Sequence, residues 1–198
     1  MKHFGVRDRL IENTIKVIAL NGLDKTTTKA IVSGTDINEA YIYSYFAGKE
    51  DLLVKVFETL DEELVTKILF HAPILYMDDL DIEGRCRMYF TAVWDFLVAN
   101  RDRCLTYIRY FYSAYFVKYS VDIHRRRFEP VVDKFRVKFI EEADVWMILN
   151  HILNVMFDFA VKVHNGEMSG EDNYVEHVFR VVFRSVEQYF KKEEKNNE

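Results

Sequence analysis

An all-α fold is predicted: a three-helix head followed by a larger helical body. Three observations predict it. The 198 residues contain only two prolines and seven glycines, too few breakers for many short strands. Apolar residues recur every three or four positions through most of the chain. At 49% hydrophobic it can bury a sizeable core, as one compact domain or two small ones.

Between Val6 and Leu20 the apolar positions Leu10, Ile11, Ile15, Val17 and Ile18 recur at helical spacing. Asn21-Gly22 stops this helix, because glycine tolerates a left-handed cap. "DKTTTKAIVSG" starts a second. The Thr27 hydroxyl can accept a free N–H of the first turn, Ile31 and Val32 face inward, and the helix ends near Gly34 or Thr35. Asn38 caps a third helix, whose Ile42 and Phe46, four residues apart, share the buried face. That leaves Tyr41, Ser44 and Tyr45 outward, with Tyr43 near the boundary. "AGKEDLL" breaks this helix and begins a longer one to about Lys67; Pro73 and "YMDDLDIEG" mark a loop. Four long helical segments follow, over roughly 85–100, 102–121, 123–141 and 142–165, with Pro130 expected to kink or split the third. "NGEMSGED" is a polar break, and a last helix over about 172–192 frays into "KKEEKNNE".

Net charge is −5, which argues against a nucleic-acid coat protein. Its distribution is uneven. Through Thr35 there are six basic residues (Lys2, Arg7, Arg9, Lys16, Lys25, Lys29) and three acidic ones (Asp8, Glu12, Asp24), a net of +3 before a body of −8. "MKHFGVRDRL" lacks an apolar core, so no signal peptide is expected, and no uninterrupted apolar run approaches the ~18 residues of a membrane span. Cys86 and Cys104 are far apart with no CxxC pattern, and reduced thiols are the simplest reading; a redox-sensing pair is the alternative.

Three short helices with a tight turn between the second and third make a helix-turn-helix, whose third helix enters the major groove by its N-terminal end. An exposed tyrosine hydroxyl can donate to a phosphate, and a helix N-terminus offers free N–H groups to one. Alternatively, a tyrosine-rich amphipathic helix is simply a packed surface helix.

The run "NGLDKTTTKAIVSGTDINEAYIYSYFAGKEDLL" resembles the TetR family of bacterial transcriptional repressors. The resemblance rests on Gly22, Thr26-Thr27, Ile31, Tyr43-Ser44-Tyr45-Phe46, Lys49-Glu50 and Leu52, and extends over about Leu10–Leu53. It implies that Thr27, Tyr43, Tyr45 and Lys49 contact phosphates. It also implies that Thr28, Lys29, Asn38, Glu39, Ala40, Tyr41 and Ser44 touch bases or backbone. Two departures stand out. Thr35-Asp36 occupies the turn where the family usually has Ala-Gly. Glu39 puts a carboxylate at the start of the reading helix, where it accepts from cytosine N4 or repels phosphate. The resemblance further implies a helix-turn-helix domain over 1–50 and a helical effector-binding and dimerisation domain over 51–198. The protein it describes is a cytoplasmic homodimer on a double-stranded DNA operator, answering a small-molecule effector, with no cofactor, metal or membrane.

In the body, "CLTYIRYFYSAYFVKYS" carries Tyr107, Tyr110, Phe111, Tyr112, Tyr115, Phe116 and Tyr119 on nearly all sides of one helix, which implies a helix surrounded by protein. A plain aromatic core is one reading. Because buried tyrosines need hydroxyl partners, a polar-dotted cavity is the other, with Phe90, Trp94, Trp146 and Met147 lining it from neighbouring helices. Such a pocket suits a planar apolar or cationic molecule. Residues 145–163 are apolar except for a stripe of Asn150, Asn154, Asp158 and Lys162, expected to face solvent or else to form a polar track in a pocket or interface. With the last helix they resemble the family's dimer seam, through Ile152, Val155, Phe159, Val175, Phe179, Val182 and Val186. "HRRRF" at 124–128 is expected to be a solvated face, or else a partner for an anionic ligand.

An all-α enzyme is the competing class, but there is no Glu-x-x-His pair, HExxH, GxGxxG or P-loop. A third class is a regulator that acts through protein contacts, motivated by Asp36 and Glu39.

Overall fold

The computed structural model describes residues 5–169 and 172–191. The predicted all-α class is what is found. Helices α1 (Val6–Asn21), α2 (Thr28–Val32), α3 (Ala40–Tyr45) and α4 (Lys49–His71) are followed by α5 (Ile82–Ala99), α6 (Arg101–Phe111), α7 (Val121–Arg136), α8 (Val145–His164) and α9 (Asp172–Val186). The compact units do not divide at residue 50. One joins the chain up to Leu64 with Ala99–Arg127, and the other joins Val65–Val98 with Phe128 onward. The first four helices do not close their core without α6 and the start of α7, and the end of α4 belongs with the second unit.

In the first unit, Leu10, Ile15 and Ile18 of α1 meet Ile31, Ile42, Phe46 and Leu52, each 4% exposed or less. α6 then grips α1 by directional bonds. The Thr106 hydroxyl donates to the Ile15 carbonyl at 2.9 Å. Arg109 donates to the carbonyls of Ile18 and Ala19 near the end of α1, where the Ile18 carbonyl also accepts the Gly22 N–H at 2.9 Å. Arg103 bridges Glu12 at 2.6 Å and Glu63 at 2.9 Å. The segment expected as one helix over 102–121 is interrupted. Ser113 donates its hydroxyl to the Tyr110 carbonyl at 2.6 Å and accepts the Phe116 N–H at 3.4 Å, closing one helix and opening a π-helical turn at Phe116–Ser120.

At the centre of this unit lies Asp61 of α4, with no exposed surface. Its Oδ1 accepts from the Tyr107 hydroxyl at 3.1 Å and pairs with His124 Nδ1 at 2.9 Å. Its Oδ2 accepts from Arg127 at 3.0 Å. Burial, and then the Asp61 carboxylate beside it, push the Tyr107 phenol well above its ordinary value, so it remains a donor. The basic run 124–128 is therefore corrected from a solvated face. His124 and Arg127 turn inward onto Asp61, while Arg125 and Arg126 are exposed.

In the second unit, helix ends differ from the expected ones for identifiable reasons. Asp81 accepts the Gly84 N–H at 2.8 Å and Asp144 accepts the Met147 N–H at 2.9 Å, starting α5 and α8. α7 runs through Pro130 without a break. α9 stops at Val186 because the following residues pair by backbone with those after α7. Ile140 N–H donates to the Tyr189 carbonyl at 2.9 Å, and Lys191 N–H to the Lys138 carbonyl at 3.0 Å. Phe139 and Phe190 stack there at 4.7 Å. The expected fraying at 192–198 lies outside the described residues. α8 is, among the described residues, the one helix long and apolar enough to cross a membrane by length and composition. Its apolar side is used inside the protein, since Leu149, Ile152, Leu153 and Met156 line an internal cavity.

Removing one partner of a buried ionic cluster leaves the others uncompensated, at a cost of about 3–5 kcal/mol. Asp61→Ala is expected to lose that much in urea unfolding. A loss under about 1 kcal/mol would show that the cluster's charges reach water.

Candidate nucleic-acid interface and apolar cavity

The interface is built on the shortest helices. The Thr27 hydroxyl caps α2 by accepting the Ala30 N–H at 3.1 Å, which leaves its own proton to donate elsewhere. Gly34, at φ 73°, reverses the chain after α2 in the left-handed region that glycine favours. Thr35 then braces the turn twice. It donates to the Val32 carbonyl at 2.7 Å and accepts the Ile37 N–H at 3.1 Å. Asp36 is held by an ion pair with Arg9 of α1. The Arg9 guanidinium beside it holds its carboxyl below the usual carboxylate range. Asn38 begins α3 by accepting the Ala40 N–H at 2.9 Å, leaving its amide NH₂ group for a partner.

Ile42 and Phe46 anchor α3, and the remaining faces are open. Tyr41, Tyr43 and Tyr45 are 46%, 63% and 45% exposed, so Tyr43 is the most exposed of the three rather than a boundary residue. Tyr41 and Tyr45 stack at 6.5 Å, one helical turn apart. All eleven predicted contact residues (Thr27, Thr28, Lys29, Asn38, Glu39, Ala40, Tyr41, Tyr43, Ser44, Tyr45 and Lys49) are at least partly exposed. Lys49 opens α4, whose first N–H groups have no helical acceptor. Of the two carboxylates there, Asp51 accepts the Ala47 N–H at 3.0 Å and Glu50 accepts from the Tyr119 hydroxyl at 2.8 Å.

The second unit holds a cavity of about 80 Å³. Tyr89, Phe90 and Val93 of α5 line it, with Val131 and Phe135 of α7, four residues of α8, and Phe179, Val182, Phe183 and Val186 of α9. No carboxylate, lysine or arginine is among the lining residues. Of the ten side chains expected around a ligand, Phe90 alone lines this cavity. Trp94 stacks on Phe90 at 6.3 Å and is buried behind it. Tyr107, Tyr110, Phe111 and Phe116 instead pack in the first unit around Phe57 and His124, at ring distances of 4.5–6.2 Å. Tyr112 is 69% exposed and Met147 55%, Tyr115 stacks on Tyr110 and Tyr119, and Trp146 meets Phe128 edge-on.

The seam residues are also redistributed. Ile152, Phe179, Val182 and Val186 line the cavity; Phe179, Val182 and Val186 are buried within the chain, whereas Ile152 is partly exposed. Val155, Phe159 and Val175 are partly exposed. The open face of α8 carries Met147, His151, Asn154 and Asp158, and that of α9 carries His177, Val181, Arg184 and Ser185. His151 and Ser185 are joined at 2.9 Å.

Neither Cys86 nor Cys104 is in a disulfide. Burial pushes the Cys104 thiol up to about 12, whereas Cys86 is half-buried in the cavity wall. Iodoacetamide at pH 8 is expected to label Cys86 alone in the folded protein and both thiols in urea, read by mass spectrometry. Labelling of native Cys104 would contradict the packing of α6.

Residues 10–56 match the sequence model of the family described as bacterial regulatory proteins, tetR family. No curated protein sequence matches significantly. Solved structures do. A TetR family transcription regulator from Marinobacter aquaeolei VT8 has a TM-score of 0.71 at 16% identity, over 90% of this chain and 94% of that one. The multidrug binding protein EbrR, complexed with imidazole, gives 0.64 at 13% over 98% and 99%. The transcriptional regulator FadR from Bacillus subtilis, in complex with stearoyl-CoA, gives 0.62 at 13% over 88% and 96%. At such identities the likeness is one of fold.

Proposed function

We propose that this chain, a TetR-family protein by its amino-terminal domain, is a ligand-responsive transcriptional repressor. In this reading it binds a palindromic operator as a homodimer and is released by an apolar effector. The observation that carries the reading is α3. It is a six-residue helix fixed by two buried anchors, and its tyrosines and the following Lys49 stay open on a segment that matches the family. The tyrosine and Thr27 hydroxyls and the α4 N–H groups supply phosphate donors, and Asn38, Glu39, Tyr41 and Ser44 reach base edges. A small aromatic or aliphatic effector suits the cavity. A cation does not, because no carboxylate in the lining would pair with it. Two fold relatives bind small ligands, which supports an effector here. Dimerisation uses the open faces of α8 and α9, with Val181, 63% exposed, as an apolar contact.

The test is selection of duplexes from a random library, followed by titration of the selected site. Lys25, Lys29 and Lys49 are the lysines between Leu23 and Glu50. At roughly 0.9 per neutralised phosphate, two heads give a slope of log Kobs against log salt no steeper than about −5. Lys49→Ala weakens all sequences alike and flattens the slope by about 2 for the dimer. Tyr41→Ala and Asn38→Ala also change the preferred sequence. Recovery of no duplex at low salt would favour action through protein contacts instead.

Val181→Glu places a charge on the open face of α9 without touching the cavity. It is expected to give monomers in sedimentation and to lose palindrome binding. An unchanged dimer would move the interface elsewhere.

A further inference from the structure

The cavity wall contains one hydroxyl among its lining residues, that of Tyr89 on α5. It is hidden from the cavity because it donates to the Ile68 carbonyl in the last turns of α4, at 3.2 Å. That is long for an O–H···O bond, whose usual separation is about 2.7–2.8 Å. Ile68 lines the same cavity. The donor and its acceptor therefore seal each other at the edge of an otherwise apolar space.

We infer that Tyr89 is the effector-reading residue of this cavity. It takes ligands that combine an apolar body with one hydrogen-bond acceptor, such as a ketone, ester or ether oxygen, by transferring its hydroxyl from Ile68 to the ligand. This rests on the effector role proposed for the cavity.

The chemistry favours an acceptor over other head groups. A neutral tyrosine offers one proton, so the group it meets best is a lone pair. Burial holds the phenol far above its ordinary value, so the proton is always present to donate. A carboxylate would need a cation that the lining lacks, and an ammonium would need an anion that it also lacks. The exchange is isoenergetic in kind, one carbonyl-type acceptor replacing another. The Ile68 carbonyl keeps its second lone pair for the helix. An apolar ligand without an acceptor binds as well, but leaves Tyr89 on Ile68. A single good acceptor thus confers specificity, and it also releases a bond that ties α5 to α4. Phe135, edge-on to the Tyr89 ring at 5.4 Å, limits the ring's freedom, so the hydroxyl is what turns.

Ethylbenzene and acetophenone are near-isosteric and differ by a methylene replaced with a carbonyl. Their dissociation constants are to be measured on the full chain by calorimetry, for the parent and for Tyr89→Phe. The expected result is that ethylbenzene binds both proteins within about twofold, which shows the cavity intact. Acetophenone binding should weaken roughly tenfold in the variant, the equivalent of one net hydrogen bond. Ethylbenzene binding with an unchanged acetophenone ratio would overturn the role of Tyr89 while leaving the cavity as the effector site. Binding of neither probe to the parent would overturn the cavity reading, and this inference with it.

Discussion

The first unit depends on a carboxylate that has no access to water. A buried charge is tolerated only when its lone pairs are filled, and Asp61 is filled from two other helices: Tyr107 on α6, and His124 and Arg127 on α7. These bonds are directional, so they are satisfied in one arrangement of α4, α6 and α7 and not in neighbouring ones. α6 then passes that arrangement to α1 through Arg103, Thr106 and Arg109. α1 in turn covers Ile31 and Ile42, the anchors of the two helices that carry most of the proposed DNA-contacting residues. Apolar packing of the same volume could be as stable, but it would tolerate sliding. What the ionic cluster selects is one register.

The second unit is held together differently. Around its cavity the contacts are between aliphatic and aromatic side chains, whose attraction scales with buried area and has little directional demand. Such a wall can repack around a guest, and Met156 is the most adaptable member of it. The resting volume of about 80 Å³ is below the ~150 Å³ of an apolar cavity that holds benzene, so some repacking must accompany any ring-sized ligand. A protein that must hold one surface fixed and let another respond benefits from dividing the two kinds of interaction in this way.

The legible parts of the sequence were those decided locally. The Thr27 cap, the Asn38 start of α3 and the Ile42–Phe46 anchors follow from spacing within one or two turns. The illegible parts depend on partners distant in sequence. Periodicity identifies the apolar face of α9 but not what it faces, so Phe179, Val182 and Val186 read as a seam when they line a cavity. The rings of α6 read as a pocket because their true partners, Phe57 and His124, lie on other helices. One signal was available. In α4 the buried positions Phe57, Leu60, Leu64 and Ile68 trace a stripe, and Asp61 falls on it, four residues after Phe57. A charge on an apolar stripe requires a buried counter-charge, and "HRRRF" was the basic cluster able to supply it. The break at Ser113 had a weaker signal, a lone serine able to bond the backbone on both sides.

The turn before α3 shows how a departure from the family pattern is absorbed. An aspartate beside a phosphate-facing helix should repel DNA, but Asp36 pairs with Arg9, and a paired carboxylate presents little net field to a phosphate beyond the Debye length of about 8 Å. The threonine before it replaces a small residue and repays its bulk with two hydrogen bonds. The consequence is electrostatic. Arg9 is committed to the turn, Arg7 lies 5.5 Å from the Phe46 ring centre, and between Leu23 and Glu50 the cations are Lys25, Lys29 and Lys49. Fewer cations mean fewer released counterions and weaker sequence-independent attraction. Hydroxyls, amides and helix N–H groups must then carry more of the contact. Those groups act only at hydrogen-bond distance, so on the proposed interface a misaligned duplex loses proportionally more than it would on a lysine-rich one. Glu39 sharpens the difference, since a carboxylate at the start of α3 is favourable only opposite a donor such as cytosine N4.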